Sequence, residues 1–222
     1  MAILLGLGVW QIQRLHWKEG LLARIAALQA SPPEPLAVVL RRAAEGLDVD
    51  YVRVEGDCPE VERTAFLRVY AERDTRPGYR IVTTCSLGAG SPYGSILIDR
   101  GFIDQTHADQ LKPGAGKILS APLVGVLRKV DDRNFVTPQN QPAQNIWFWH
   151  DRLGMAAALG AAHPAPLFLM LESPPPPAPG PTPAPVPTDI PNNHLAYALT
   201  WFGLAAALLG VYLASLWTRR RS

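Results

Sequence analysis

The chain has 222 residues and a formal net charge of +2, so it favours one domain with appendages, and the absence of a basic stripe argues against nucleic-acid binding. Its two cysteines, Cys58 and Cys85, form no Cys-x-x-Cys pair of the kind that binds zinc. We expect two free buried thiols, with a disulfide as the alternative in an oxidising compartment.

Residues 1–30 are predicted to form an N-terminal transmembrane and interfacial helix. Residues 1–12 are apolar, but they cover only about half of a membrane span and lack the charge and cleavage site of a signal peptide. We therefore expect the chain as given to begin inside a membrane helix that is cut short. A short apolar helix that only dips into the membrane is the alternative.

The helical pattern continues beyond this apolar start. From residue 10 to residue 29, apolar side chains recur at spacings of three, four or seven, with Arg14, Lys18 and Arg24 between them. This pattern predicts an amphipathic stretch at the membrane surface. The proline-rich run at residues 31–35 should end the helix.

Residues 31–172 are predicted to form a mainly β (α+β) extramembrane domain. The β-rich runs are 51–55, 64–70, 79–85, 95–99, 119–127 and 166–171. Their spacing predicts a small antiparallel sheet or barrel. Residues 151–162 have a helical pattern, and Asp151 is a suitable N-cap. We therefore expect one or two helices in this domain, which lies between two transmembrane helices.

Residues 173–191 are a proline-rich linker. Low-complexity proline runs adopt the extended polyproline II conformation. A ligand for a proline-binding domain is one interpretation. We favour a semi-rigid spacer, because the segment joins the domain directly to the last helix.

Residues 192–218 are predicted to form a C-terminal transmembrane helix. The stretch 195–217 carries no charged residue and is long enough for a hydrocarbon core of about 30 Å. Aromatic residues lie towards both of its ends, as in an interfacial belt. The basic tail at 219–222 contains three arginines, which the positive-inside rule assigns to the cytoplasm or matrix. The central domain would then lie on the opposite side of the membrane.

A helical wheel gives the C-terminal helix two faces. His194, Tyr197 and Trp201 fall on one side. On the opposite side, Ala206, Gly210 and Ala214 have the small-xxx-small spacing that lets another helix approach closely. An ordinary alanine-rich membrane helix accounts for this second stripe equally well.

His194 stands where the helix is predicted to begin. Asn192 or Asn193 is a good N-cap, so the imidazole lies in the first turn, where the helix dipole disfavours its protonation. A neutral imidazole can bind a metal or a haem iron, and this depth suits a haem delivered from the bilayer. From the residues alone, an interfacial histidine bound to headgroups, water or a backbone carbonyl is the more common arrangement.

Several stretches together resemble one known family. LGVWQIQRLHWK (residues 7–18) and NNHLAYALTWF (192–202) resemble the first-helix and second-helix signatures of the Surfeit-locus cytochrome c oxidase assembly factor family. The shorter stretches GY (78–79), DRGF (99–102), VGVLR (124–128) and NIWFWHD (145–151) occur in the family's order. The likeness spans nearly the whole chain, and the two terminal motifs are the specific ones.

The resemblance implies a membrane protein of the cell inner (cytoplasmic) membrane with two spans, a periplasmic central domain and a cytoplasmic C-terminus. It implies help in maturing haem–copper oxidases by handing haem a to the catalytic subunit, with haem a synthase as a second partner. The family's proposed haem ligand falls on His194. Trp10, Tyr197 and Trp201 are expected to complete the haem-binding pocket.

Two other functions remain open at this stage. The chain could be a scaffolding subunit that binds an oxidase stably, through the small-residue stripe and the β domain, without haem. An enzyme is the less favoured interpretation. The stretch VTTC (82–85) is similar to the strand-end cysteine of sortase-type transpeptidases, but those need a histidine and an arginine beside the thiol, and only His16 precedes Cys85.

Overall fold

The computed structural model describes residues 1–114, 116, 118–130, 133–183 and 192–221. The chain divides into two compact units, which are considered separately. One consists of Met1–Ala27 with Pro187–Ser222, and the other of Leu28–Val186.

The described residues contain five α-helices, one 3-10 turn and eight strands. The helices are α1 (Ala2–Ala30), α2 (Leu36–Ala44), α3 (Gln105–Ala108), α4 (Arg152–Ala158) and α5 (His194–Arg219), and the 3-10 turn is Pro142–Gln144. The strands are β1 (Glu34–Pro35), β2 (Arg53–Gly56), β3 (Phe66–Arg73), β4 (Arg76–Ser86), β5 (Ser95–Asp104), β6 (Leu123–Arg128), β7 (Ile146–Trp147) and β8 (Pro164–Ser173).

Helices α1 and α5 differ in whether their length and composition suit a membrane span. α1 is continuous and ends at Ala30, directly before the proline-rich run, as the sequence predicts. Among the described residues, α5 is the one helix whose length and composition suit a membrane span. Membrane association through α5 is therefore plausible, whereas a second span in residues 1–12 stays a prediction.

The second unit is built on one mixed sheet of eight strands. The strand order is β1-β2-β6-β8-β5-β4-β3-β7. β5 lies near the middle, antiparallel to β4 and parallel to β8. The expectation of an antiparallel sheet was wrong in this respect, because three neighbouring pairs, β1–β2, β3–β7 and β5–β8, are parallel. The domain is nevertheless α+β, as predicted.

Apolar side chains cover both faces of this sheet. On β5, Ile96 and Ile98 belong to a core cluster that includes residues of α2, whereas Leu97 belongs to a second cluster with Trp147 and Met155. Successive side chains of a strand point to opposite faces, so the two clusters lie on opposite sides of the sheet. This arrangement explains the uninterrupted apolar run of residues 96–98 in β5, as expected for a strand that is buried on both faces.

The hairpin between β3 and β4 is tighter than the sequence suggested. Arg73 pairs with Arg76, and only Asp74 and Thr75 lie between them. Both have positive φ, at 52° and 62°, which is the geometry of a type I′ turn. The sequence lacks the Asn-Gly or Asp-Gly signal for such a turn, and the predicted β-rich runs therefore ended at residue 70 and began again at residue 79. The observed strands extend to Arg73 and Arg76.

The first part of the proline-rich segment belongs to the domain. Phe102 N–H donates to the Thr182 carbonyl at 2.9 Å, and Thr182 N–H donates to the Phe102 carbonyl at 2.7 Å. Thr182, which lies within the stretch expected to be a semi-rigid spacer (residues 173–191), is thus hydrogen-bonded to β5. The rest of that segment, from 184 to 191, lies outside the described residues.

Cys58 and Cys85 form a disulfide, so the expectation of two free thiols was wrong. Their Cα atoms are 5.9 Å apart, and both side chains are buried in the same core cluster as Ile96. The sequence alone could not show that the two cysteines meet. Because Cys85 is not a free thiol, the sortase-like interpretation loses its nucleophile.

Candidate functional site

The least exposed residues of α1 recur with near-heptad spacing along one face of the helix. Leu4, Gly8, Gln11, Leu15 and Lys18 are buried or half-buried at spacings of four and three, while most positions between them are exposed. Gly8 is the closest-packed of these positions. An added Cβ there would lie 2.5 Å from the ring of Phe202 on α5, so a larger residue at this position would require that ring to move.

His194 forms a hydrogen bond across the same helix pair. Its Nδ1 lies 2.6 Å from Oε1 of Gln11, although the two residues are 183 positions apart in the chain. An amide oxygen only accepts hydrogen bonds, so Nδ1 must carry the proton. A neutral imidazole protonated on Nδ1 keeps its lone pair on Nε2, which is the atom that is then able to bind a metal.

This arrangement fits a haem ligand. Metal-binding histidines usually donate their other ring N–H to a carboxylate, carbonyl or water, which fixes the tautomer and orients the ring. Gln11 supplies such an acceptor for His194. His194 itself is half-buried.

The predicted cap of α5 differs in detail from the expectation. Asn193 occupies the N-cap position, as predicted, but its side chain makes no capping hydrogen bond. The first-turn position of His194 is thus correct, whereas its orientation comes from Gln11 on the other helix.

The three aromatic residues predicted to complete the pocket differ in their exposure. Trp10 is 53% exposed and Tyr197 is 56% exposed, while Trp201 is half-buried. In the described part of the chain, no ring contact joins any of them to the imidazole. Their haem-binding role stays a prediction.

The small-residue stripe lies on the opposite, exposed part of α5. The buried positions of this helix are Ala198 and Ala205, whereas Ala206, Gly210 and Ala214 are all exposed. The stripe is therefore not the face on which α5 packs within its own unit. Packing against a helix of another protein stays a prediction.

A second constellation, which sequence reasoning missed, lies in the domain. Asp99 on β5 is completely buried, and its Oδ2 accepts hydrogen bonds from Nε of Arg80 at 2.5 Å and from Nε2 of His150 at 3.1 Å. Its Oδ1 accepts the N–H of Gly101 at 2.9 Å. The carboxylate thus joins β4, β5 and the segment that leads into α4.

The surroundings of Asp99 keep it ionised. Burial alone raises the pKa of its carboxyl, but the hydrogen bond from His150 and the positive charge of Arg80 outweigh burial, so the pKa lies below its ordinary value of 3.8. A buried charge needs such partners, because an unpaired one is very costly. The network is therefore a structural feature of the domain.

The neighbouring residues of β5 are held in a similar way. Arg100 forms an ion pair with Glu62, and both side chains are almost completely buried. Gly101 has φ of +105°, and an added Cβ would lie 2.1 Å from the Thr182 carbonyl oxygen. The motif at residues 99–102 thus consists of two buried ion-pair residues, a required glycine and the backbone partner of Thr182.

The motif at residues 145–151 also has structural roles. Asn145 ends the 3-10 turn with φ of 53°, and its side-chain oxygen accepts the indole N–H of the buried Trp147 at 3.2 Å. Asp151 caps α4 by accepting the N–H of Gly154 at 3.0 Å, which confirms the predicted N-cap. His150, which precedes Asp151, is the residue that contacts Asp99.

One signal could have revealed this network from the sequence. Asp99 and Arg100 follow the apolar run at 95–98 without a turn residue between them. Charged residues inside a buried strand need partners, so the chain must supply at least one cation and one anion from elsewhere.

Within the described residues, no group of three or more His, Cys, Asp or Glu side chains could hold a metal ion.

Comparisons with known proteins agree with the resemblance seen in the sequence. A family model described as SURF1 family matches residues 1–206. The chain is 31% identical to mouse Surfeit locus protein 1, covering 93% of this chain and 70% of that protein, and 29% identical to the human protein, covering 91% and 70%. It is 29% identical to a SURF1-like protein of Monosiga brevicollis, covering 95% and 82%.

Proposed function

Because the chain belongs to the SURF1 family, we propose that it assists the assembly of a haem–copper (cytochrome c) oxidase by binding haem a and handing it to the catalytic subunit. The observation that carries this proposal is the hydrogen bond between His194 Nδ1 and Gln11 Oε1. It joins the two motifs that resemble the family most closely, and it leaves His194 Nε2 able to bind iron.

The ligand set suits transfer rather than storage. When haem a is bound, the imidazole of His194 would hold its iron, and the exposed rings of Trp10 and Tyr197 would offer apolar surface to the rest of the group. Gln11 holds the imidazole without adding a second strong iron ligand. A single protein ligand would allow release to the catalytic subunit, and haem a synthase is the proposed donor.

The proposed location is the inner membrane, with α5 and a second span in α1. The arginines at 219–221 support a cytoplasmic C-terminus by the positive-inside rule. The Cys58–Cys85 disulfide independently supports a periplasmic domain, since disulfides persist in oxidising compartments and are rare in the cytosol.

A spectroscopic experiment tests haem binding. The full chain is purified in detergent from cells that synthesise haem a, and its absorption spectrum is compared with those of His194→Ala and Gln11→Leu. We expect His194→Ala to abolish the haem band. Gln11→Leu should weaken haem binding about tenfold, the lower end of the usual effect of removing a partner of a metal-binding histidine.

His16→Ala is the matched control, because His16 is an exposed histidine on the same helix pair. It should leave the band unchanged. An unchanged spectrum in His194→Ala would remove His194 from the site, and equal loss in both histidine variants would indicate general damage to the helices.

The second candidate is a scaffolding subunit that binds an oxidase without haem. The exposed stripe of Ala206, Gly210 and Ala214 favours it, because these small side chains are available to a helix of another protein. Replacing all three with leucine should then abolish co-purification with the oxidase. Leu204→Ala, at another exposed position of α5, is the control. If the complex survives the leucine variant, the stripe is not the interface.

A further inference from the structure

Two large apolar side chains protrude from the domain in the loop that follows β6. Phe135 is 95% exposed and Val136 is 70% exposed. We refer to these two residues as the apolar tip. Single exposed apolar residues are common on protein surfaces, whereas these two are neighbours in the chain and lie in the same hydrogen-bonded turn.

The turn around the apolar tip is specifically hydrogen-bonded. The side-chain oxygen of Asn134 accepts the N–H groups of Val136 and Thr137 at 3.1 and 3.0 Å, and the Thr137 hydroxyl at 2.8 Å. Nε of Arg133 donates to the Thr137 carbonyl at 2.7 Å. These bonds define the backbone without burying the two apolar side chains, so their exposure is a property of the folded loop.

Cationic and aromatic side chains lie beside the tip. A cavity of about 360 Å³ next to it is lined by Arg128, Lys129 and Arg133 together with Phe148 and Trp149.

Carboxylates offset much of the positive charge of this cavity. Asp50 pairs with Arg128, and Asp48 pairs with Lys129. Attraction to this surface must therefore come mainly from the apolar tip.

We propose that the apolar tip inserts into the interfacial region of the lipid bilayer to which α5 anchors the chain. A specific protein interface buries about 800 Å² on each partner, far more than two side chains can supply, whereas a bilayer interface accepts a small apolar protrusion.

Anchoring by α5 makes even weak insertion effective. A tethered contact behaves as an intramolecular one with a high effective concentration, so two apolar side chains suffice to hold the loop at the membrane. Because the local charges nearly balance, insertion should occur in phosphatidylcholine alone and should not require phosphatidylglycerol. The proposal depends on membrane anchoring by α5 but not on haem binding.

A fluorescence-quenching experiment tests the insertion. Since Cys58 and Cys85 are joined, Gln139→Cys supplies one free thiol in the exposed part of the same loop for a fluorescent label. The labelled full chain is reconstituted into phosphatidylcholine vesicles that carry nitroxide groups at the lipid headgroup. We expect strong quenching, and Phe135→Ser with Val136→Ser should weaken membrane contact of the loop about tenfold. Leu47→Ser, another exposed apolar residue, is the control.

The possible results distinguish insertion of the apolar tip into lipid from its binding to a protein partner. Quenching that depends on the tip and appears in lipid alone supports the proposal. No quenching in lipid, with protection of the label only when the oxidase catalytic subunit is present, would overturn it in favour of a protein partner. Absence of both effects, or equal effects of the tip variant and Leu47→Ser, would also overturn it. Haem binding is measured separately, so failure here leaves the proposed function intact.

Discussion

Replacing Asp99 with alanine should lower the free energy of unfolding of the domain by about 3 kcal/mol, because breaking a buried ion pair usually costs 3–5 kcal/mol. The change leaves Arg80 and His150 without their shared carboxylate. It also removes the acceptor of the Gly101 N–H. Arg80 is about one quarter exposed, so water can compensate part of the loss, and we take the lower end of the range.

Hydrogen–deuterium exchange of β5 in the full-length protein measures this effect, since protection of a central strand reports the stability of the unit that contains it. Asp99→Asn is the matched control. It keeps the size and one acceptor oxygen but loses the charge, so its effect should be smaller than that of alanine. Equal protection in Asp99→Ala and the unchanged protein would contradict a stabilising network.

The same residue predicts a pH dependence. The pKa of Asp99 in the folded protein lies below 3.8, so below pH 3.8 the unfolded chain takes up a proton that the folded chain resists. The stability due to Asp99 is therefore present above pH 3.8 and is lost as the pH falls towards its folded pKa. Asp99→Asn should make the acid loss of stability shallower, which unfolding experiments across this pH range can measure.

Removing the disulfide should have an effect of similar size. The two cysteines are 27 residues apart, and the loop-entropy relation gives about 3.5 kcal/mol for a loop of this length. The bridge links the segment before β3 to the end of β4. Its loss should increase the conformational freedom of the unfolded domain without removing any strand pair.

Urea unfolding of the full chain, with and without a reducing agent, provides the measurement. Reduction should lower the free energy of unfolding of the unchanged protein by nearly as much as the double substitution Cys58→Ala/Cys85→Ala does. The reducing agent should have no further effect on that variant, which makes it the internal control. Thiol labelling of the unchanged protein before reduction should find no reactive cysteine, and ready labelling would contradict the bridge.

The two units bear on function in different ways. The motif residues of the domain are explained by buried ion pairs, glycine positions and caps, so their substitution should act mainly through stability. In the helix pair, Gln11 and His194 form a contact whose geometry suits iron binding and which the fold of the domain does not require. Substitutions at these two positions should change haem binding while leaving exchange protection of β5 unaltered.

The sequence by itself determined the local features of this protein. The uncharged run of α5, the stop of α1 before the prolines and the N-cap at Asp151 each depend on residues close together in the chain, and all three are observed. Most strands lie where β-rich runs occur, because alternation and apolar runs report which side chains must be buried.

Tertiary structure alone decided which buried groups meet. Periodicity does not identify partners, so it could not give the parallel pairing of β5 with β8, the bridge between Cys58 and Cys85, or the network of Asp99. The contact of Gln11 with His194 joins the two ends of the chain and depends on how the helices pack. Local preferences act over a few residues, whereas these contacts arise only when distant segments are brought together by burial.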